Sequence, residues 1–385
     1  MIRDCDILDS FVDSVARFVS ERLVPIEGLV DETDKIPDEV VRDMREMGLF
    51  GMTIPEEYGG LGMTMEEEVR IAFELGKTSP AFRSLIGSNN GIGSFGLVTS
   101  GTEEQKRRYL PRIASGEYIA SFALTEPEAG SDAASIRTSA RREGNEFVLN
   151  GTKRFITNAP EASLFTVFAR TGQGDAKSAG ITAFLVERNT PGLTVAKPDK
   201  KMGQSGAHTS DVILEECRVP ASSILGREGE GFRMAMRTLD RGRIHIAAVC
   251  VGVAERIISD ALAYARERRQ FGKPIAEFQL IQAMLADSRT EAYAARSMVL
   301  DAARRRDDGQ RVELEAACCK LFASEMVGRV ADRSVQIHGG AGYMREYCAE
   351  RFYRDVRLYR IYEGTSQIQQ LVIAREMLKE ASRTG

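Results

Sequence analysis

The chain has 385 residues, longer than one hydrophobic core readily serves, so two or three domains are expected. It is 43% apolar and 28% charged with 35 Gly and 11 Pro, a composition that suits globular folding and excludes disordered and collagen-like classes. With 52 basic against 56 acidic residues the net charge is −4, and no basic stripe is interleaved with aromatics, which argues against nucleic acid as a partner.

Six cysteines (Cys5, Cys217, Cys250, Cys318, Cys319, Cys348) form no CxxC pair and read as scattered thiols of a reducing compartment. Met1 to Asp9 carries acids among its apolar residues, unlike a signal h-region, and no run of about 18 apolar residues occurs. A soluble, cytoplasmic protein without a membrane partner is therefore expected.

Residues 1–117 carry a helical period. Phe11, Val15, Phe18 and Val19 share one face, and Pro25 is expected to close that segment. Thr64 precedes an apolar-periodic run ending at Gly76, and Thr102-Glu-Glu-Gln105 reads as a capping box. Gly91-Ile-Gly-Ser-Phe-Gly96 spells GxGxxG, but no strand precedes it, so it reads as a loop between helices rather than a dinucleotide fingerprint.

Residues 118–228 change to short β-rich runs: Tyr118 to Leu124, Glu146 to Leu149, Phe165 to Arg170, Ile181 to Val186 and Val212 to Leu214. Gly144-Asn145, Asn150-Gly151 and Pro191-Gly192 punctuate them as turns, which suits an antiparallel sandwich or barrel. In residues 229–385 the helical period returns, in Phe232 to Arg268, Ile275 to Arg306, Val312 to Val335 and a last segment from Thr365, which together make a four-helix bundle. The fold class is α+β: an N-terminal α-helical domain, a middle β domain and a C-terminal bundle.

Chemistry-bearing residues are sparse. His208, His245 and His338 lack metal-ligand spacing, and no GxSxG, HExxH or Walker A pattern occurs. Ser121 to Asp132 runs from a strand into a loop rich in hydroxyl and backbone donors, suited to the polar edge of a ring and a phosphate, although a plain strand end with a turn reads equally from these residues. In Gly151 to Asn158, Phe155 and Thr157 stand two apart and point the same way if the strand is regular. Asp240-Arg-Gly-Arg243 puts charges inside an apolar helix, where a buried Arg needs an anionic partner. Gln336 to Gly342 ends a helix in flexible backbone. Thr365 is placed to cap the last helix, so Glu363 lies just ahead of its N-terminus, where a base is expected to rest ionised until an apolar ligand covers it and raises its pKa.

These segments, in this order and over essentially the full chain, resemble the acyl-CoA dehydrogenase family. The resemblance implies an α,β-dehydrogenation of an acyl-CoA thioester to the trans-2-enoyl-CoA by a homotetramer that holds FAD and passes electrons to an electron-transferring flavoprotein. It implies Glu363 as the catalytic base, with Gly242 standing where some subfamilies carry the base instead. By the same resemblance Phe122, Leu124, Thr125 and Ser131 meet the flavin edge and a phosphate, while Phe155, Ile156 and Thr157 meet the isoalloxazine ring. Arg268, Gln270, Phe271, Gln279, Gln336, Gly339 and Gly340 are similar to residues that a neighbouring subunit lends to FAD, and Thr365 and Gln367 to the last flavin contacts. Ser131, Asp240, Arg243 and Gly364 resemble substrate-cleft residues.

Arg83, in Ala81-Phe-Arg-Ser, resembles the arginine with which glutaryl-CoA dehydrogenases bind a distal carboxylate; pairing with a protein acid such as Glu74 is the plainer reading. Flavin monooxygenases and nitroalkane oxidases of the same family lack a Glu at position 363. A non-catalytic acyl-CoA or flavin binding module would keep the pocket without needing the base.

Overall fold

A computed structural model describes residues 3–172 and 178–384. Helix α1 (Cys5–Phe18) starts where the Asp4 carboxylate accepts from the free backbone N–H groups of Asp6 and Ile7. The chain does not stop at Pro25. It runs on through a π turn at Val19–Leu23 and a 3-10 turn at Val24–Ile26, because Pro25 falls in the first turn of the latter, where a proline forfeits no hydrogen bond. Then follow α2 (Glu27–Thr33), α3 (Asp38–Glu46), α4 (Met65–Leu75), α5 (Pro80–Asn90), α6 (Phe95–Ser100) and α7 (Glu103–Ala114). Both expected caps form as reciprocal boxes, Thr64 with Glu67 and Thr102 with Gln105. The GxGxxG stretch joins α5 to α6, as a loop should.

The middle region holds eight strands: β1 (Ala120–Ala123), β2 (Ser139–Glu143), β3 (Glu146–Thr157), β4 (Leu164–Arg170), β5 (Ile181–Glu187), β6 (Leu193–Val195), β7 (Thr209–Pro220) and β8 (Ile224–Leu225). Their order is β6-β7-β3-β2-β4-β5-β8, with β1 added beside β4. Pairing is mostly antiparallel, but β1 runs parallel to β4, and β2 meets β4 only through the parallel pair Ser139 and Arg170. That thin join leaves two sheet halves whose inner faces share one apolar cluster, including Phe147, Leu149, Phe165, Val167, Phe184 and Leu214. The Asn150-Gly151 step is not a turn. Strand β3 passes straight through it because β7 pairs along its whole length, and the misfit is taken up by register shifts at 149–151 and again at 153–156.

The C-terminal region is built from α8 (Gly231–Glu267), α9 (Gln279–Asp307), α10 (Glu313–His338) and α12 (Ser366–Thr384), with α10 packed on the other three. A short helix not anticipated from the sequence, α11 (Cys348–Val356), adds Phe352 and Val356 to the bundle core. Its nine residues are too few, and too rich in charge, for the period to stand out.

The first and last regions share a core, since α4 lays Met65, Val69 and Phe73 against α8 and α9. The α4–α8 crossing needs glycine on both sides: a Cβ at Gly252 would sit 2.1 Å from the Phe73 carbonyl oxygen, and one at Gly76 would sit 2.6 Å from that of Val249. This close approach brings Glu68 of α4 against Arg241 and His245 of α8.

Candidate active site

A cavity of about 320 Å³ opens where α5, the end of β1, the 130–134 loop, the β3 bulge, α8 and the 362–364 segment converge. Among the residues singled out by sequence, it is lined by Arg83, Phe122, Leu124, Thr125, Ser131, Phe155, Ile156, Thr157, Arg243, Glu363 and Gly364. Phe232, Met236, Leu239 and Tyr362 add apolar wall.

Two acids line this cavity, and of them Asp132 is exposed whereas Glu363 reaches into the protein. The Thr365 hydroxyl accepts from the backbone N–H of Ile368 at 3.2 Å and so caps α12, as expected. That hydroxyl satisfies one free N–H of the helix end, while the Glu363 carboxyl lies beside Gly242 of α8. Its Oε2 is buried and has no hydrogen-bond partner. Burial pushes the carboxyl above the usual carboxylate range, with the charges of Arg83, Lys320 and Arg243 pulling it partly back. The expectation of a base that rests ionised until a ligand covers it is thus corrected: the chain itself already buries the carboxyl oxygen Oε2. Glu363 also holds a left-handed backbone, φ +53°.

Gly242 explains where the carboxylate fits. A Cβ built on that glycine of α8 would lie 2.4 Å from Glu363 Oε2, so the acid occupies the volume that any side chain at 242 would claim.

The charges inside α8 find the partners that burial demands. Arg243 donates to Asp240 Oδ1 at 2.5 Å, and Arg241 pairs with Glu68 while also donating to the Asn90 carbonyl at 3.0 Å. Asp240 is therefore a support for Arg243 and does not itself line the cavity. Glu68, although buried, is held below the usual carboxylate range by Arg241 and His245.

His245, which lacks metal-ligand spacing with the other histidines, sits in α8 beside these charges. Its Nδ1 lies 2.8 Å from Glu68 Oε1, and its Nε2 takes the Nε–H of Arg83 at 2.9 Å. Burial and the Arg83 charge lower its pKa and so favour the neutral ring, whose Nε2 accepts from Arg83 while Nδ1 lies against Glu68. Glu74, the acid nearest in sequence, instead pairs with Lys77 at 2.7 Å. Among the described residues Arg83 has no carboxylate within ion-pair distance, so a half-buried guanidinium faces the cavity from a neutral anchor.

The opposite wall is built for a flat ring with a polar edge. Phe155 sits at the β3 bulge with φ +56° and is 58% exposed, its ring on the cavity rim. It shares the cavity with Thr157 because of the bulge rather than through simple strand alternation, which the register shift breaks. The loop after β1 is tied in place by buried Glu126, which accepts from the Arg137 N–H at 2.6 Å and from Lys153 Nζ at 2.7 Å. Lys153 in turn donates to the Leu124 carbonyl at 3.2 Å. The hydroxyls of Thr125, Ser131 and Thr157 beside an exposed phenyl ring match the donor set and shape that a flavin requires.

The remaining sequence candidates lie elsewhere. Arg268, Gln270, Phe271, Gln279, Gly339 and Gly340 line a separate open hollow of about 1320 Å³ at the far end of α8 and α10, and Phe271 is 94% exposed there. Gln336 is exposed near the end of α10 without lining that hollow, and Gln367 is exposed in the first turn of α12. The two hollows share no residue.

Sequence reasoning missed Glu68, Lys320 and Gln369. The one available signal was a lone Lys in the apolar run Ala316 to Ala323.

Comparison with known proteins agrees across the length of the chain. Family models for the N-terminal, middle and C-terminal domains of acyl-CoA dehydrogenases match residues 8–117, 121–217 and 229–378. The chain is 42% identical to the human mitochondrial short-chain specific acyl-CoA dehydrogenase, over 94% of this chain and 88% of that one. It is 40% identical to the caffeyl-CoA reductase-Etf complex subunit CarC of Acetobacterium woodii, over 97% and 98%. The structure of butyryl-CoA dehydrogenase from Megasphaera elsdenii superposes with a TM-score of 0.94 at 35% identity, covering 98% and 100%.

Proposed function

The chain belongs to the acyl-CoA dehydrogenase family of FAD-dependent oxidoreductases, and from that premise we propose that it removes two hydrogens across Cα–Cβ of an acyl-CoA thioester to give the trans-2-enoyl-CoA. The single observation that carries this reading is the buried Glu363 carboxylate, whose Oε2 has no protein partner and which faces a cavity of apolar and hydroxyl-bearing walls.

Glu363 Oε2 takes the α-proton. Its raised pKa brings it closer to that of a working base near neutral pH, and its dry setting strengthens the interaction with an acidified C–H. FAD, when bound beside Phe155 and the hydroxyls of Thr125, Ser131 and Thr157, supplies the acceptor for the β-hydrogen and its electron pair. The electron pair of the broken Cα–H bond becomes the new C=C, so atoms and charge balance. Arg243, Leu239 and Phe232 confine the acyl chain between base and ring and exclude water. Electrons leave to an electron-transferring flavoprotein, in line with the Etf-linked relative. The second hollow, with Arg268, Gln270, Phe271, Gln279 and the two glycines, is suited to receive the distal part of FAD from a second subunit of a homotetramer. Anaerobic addition of a series of acyl-CoAs to the flavin-loaded protein tests the reading: bleaching of the flavin band is expected, and a flavin that stays oxidised with every thioester refutes it.

A second reading concerns the tail of the substrate. Because Arg83 faces the cavity with a neutral histidine behind it and, among the described residues, no carboxylate within ion-pair distance, an acyl group ending in a carboxylate, as in glutaryl-CoA, would give it a bidentate partner. A short or branched plain acyl-CoA is the alternative. Relative kcat/KM for glutaryl-CoA and butyryl-CoA decides between them.

A further inference from the structure

Lys320 stands on the core face of α10 in an otherwise apolar stretch, and it is fully buried. A buried ammonium needs a strong reason to be there, since its desolvation is costly unless charge and hydrogen bonds compensate it. Among the described residues no carboxylate lies within ion-pair distance of it. Its Nζ instead donates to the carbonyl oxygen of Gly364 at 2.7 Å, the residue directly after the base. Gln369, also fully buried, reinforces the same spot, donating through Nε2 to the carbonyls of Glu363 at 3.2 Å and Gly364 at 3.1 Å. These two side chains grip a peptide whose residues both hold positive φ, +53° at Glu363 and +91° at Gly364. For a non-glycine residue that conformation costs on the order of 1 kcal/mol or more and persists only where the surroundings impose it.

We propose that Lys320 is a positioning residue for the reaction, clamping the Gly364 carbonyl so that the Glu363 carboxyl is aimed into the cavity, and giving that buried carboxylate a compensating positive charge. The inference rests on reading Glu363 as the base. The groups that face Glu363 are Arg83 from α5, Arg243 from α8, itself paired to Asp240, and Lys320 from α10. Lys320 is faced by Cys250 and Arg243 of α8 and by Glu325 of its own helix, which is occupied by the Ser366 hydroxyl at 2.6 Å and Arg360 at 3.0 Å. Burial lowers the Lys320 pKa to about 8, so around neutrality the ammonium form predominates.

The test uses the flavin-loaded protein with Lys320→Gln and Lys320→Met. The Glu363 carboxyl is titrated by infrared difference spectroscopy, its band assigned by its loss in Glu363→Gln, and kcat and KM are measured alongside. Loss of the charge should move the Glu363 midpoint upward by about one unit in both variants. Loss of the donor as well should lower kcat in Lys320→Met by roughly tenfold, and more than in Lys320→Gln, with KM changed much less, because the base is misaimed while the binding walls stay in place. Should the methionine variant fail to fold or to hold flavin, the glutamine titration decides. An unmoved midpoint in Lys320→Gln, or wild-type kcat in a folded Lys320→Met, overturns the proposal. Failure of the underlying reading looks different: Glu363→Gln would then turn over substrate normally, whatever Lys320 does to the titration.

Discussion

The two hollows of this chain are opposites in construction. Around Glu363 the neighbouring cations each bond a group of the same chain: Asp240 for Arg243, Glu68 for Arg241, the His245 ring for Arg83 and a backbone carbonyl for Lys320. Around Arg268 and Phe271 the side chains stand in solvent, with a phenyl ring 94% exposed and two glycines whose Cβ positions meet nothing. A large exposed aromatic on a concave surface is the kind of feature that a ligand or partner covers, in keeping with the role proposed above for this hollow. The first hollow is held by contacts within the chain, whereas the second stands open with few of its own.

The sharpest way to break that contrast is Glu363→Gln. It preserves shape and removes the proton acceptor, so turnover should fall by about 10² to 10⁴ while acyl-CoA binding and flavin content stay near wild type. Near-normal bleaching by the variant would move the base elsewhere.

Next in size is Arg83→Ala. If the substrate carries a distal carboxylate, wild type should favour glutaryl-CoA over butyryl-CoA in kcat/KM and the variant should reverse the order, since stranding one member of a buried ion pair costs roughly 3–5 kcal/mol. Equal preference in wild type leaves the plain acyl chain as the substrate.

Arg268→Ala probes the other hollow and should act more gently. Partly apo protein is expected, seen as a reduced flavin-to-protein absorbance ratio, together with a tetramer in sizing experiments. A monomer with full flavin content would contradict the assignment of that surface to a partner subunit.

The smallest effect is on stability. A carboxyl whose folded pKa is raised stabilises the fold below its ordinary titration range, and that contribution is lost as pH rises through the raised value. Glu363→Gln should therefore melt at a higher temperature than wild type at about pH 8, with the gap closing at about pH 4. By the same sign, the base is unprotonated only above its raised pKa, so activity should decline on the acid side well before ordinary carboxylates titrate. A melting difference that grows toward acid would mean the carboxyl is favoured in its charged form.

What the sequence discloses follows from how far each signal reaches along the chain. The helix starts at Thr64, Thr102 and Thr365 each need only three or four residues, and each is present as expected, Thr64 with a full box besides. The placing of Glu363 in the cavity follows from family resemblance rather than from local pattern. The rest depends on distant partners. Arg83 bonds a histidine 162 positions away, where sequence proximity pointed to Glu74, and Lys320 bonds a carbonyl 44 positions away. The Phe155 bulge exists because β7 imposes its own register on β3, which nothing within Gly151 to Asn158 announces. Pro25 misled because its effect depends on the turn it lands in rather than on its presence.

The shared volume of Gly242 and Glu363 Oε2 couples two positions 121 apart in the chain. A side chain at 242 would meet only the far end of a flexible acid, so the carboxyl, rather than the backbone, would have to give way. Substitutions at 242 and 363 should therefore be non-additive, each one's effect depending on what stands at the other.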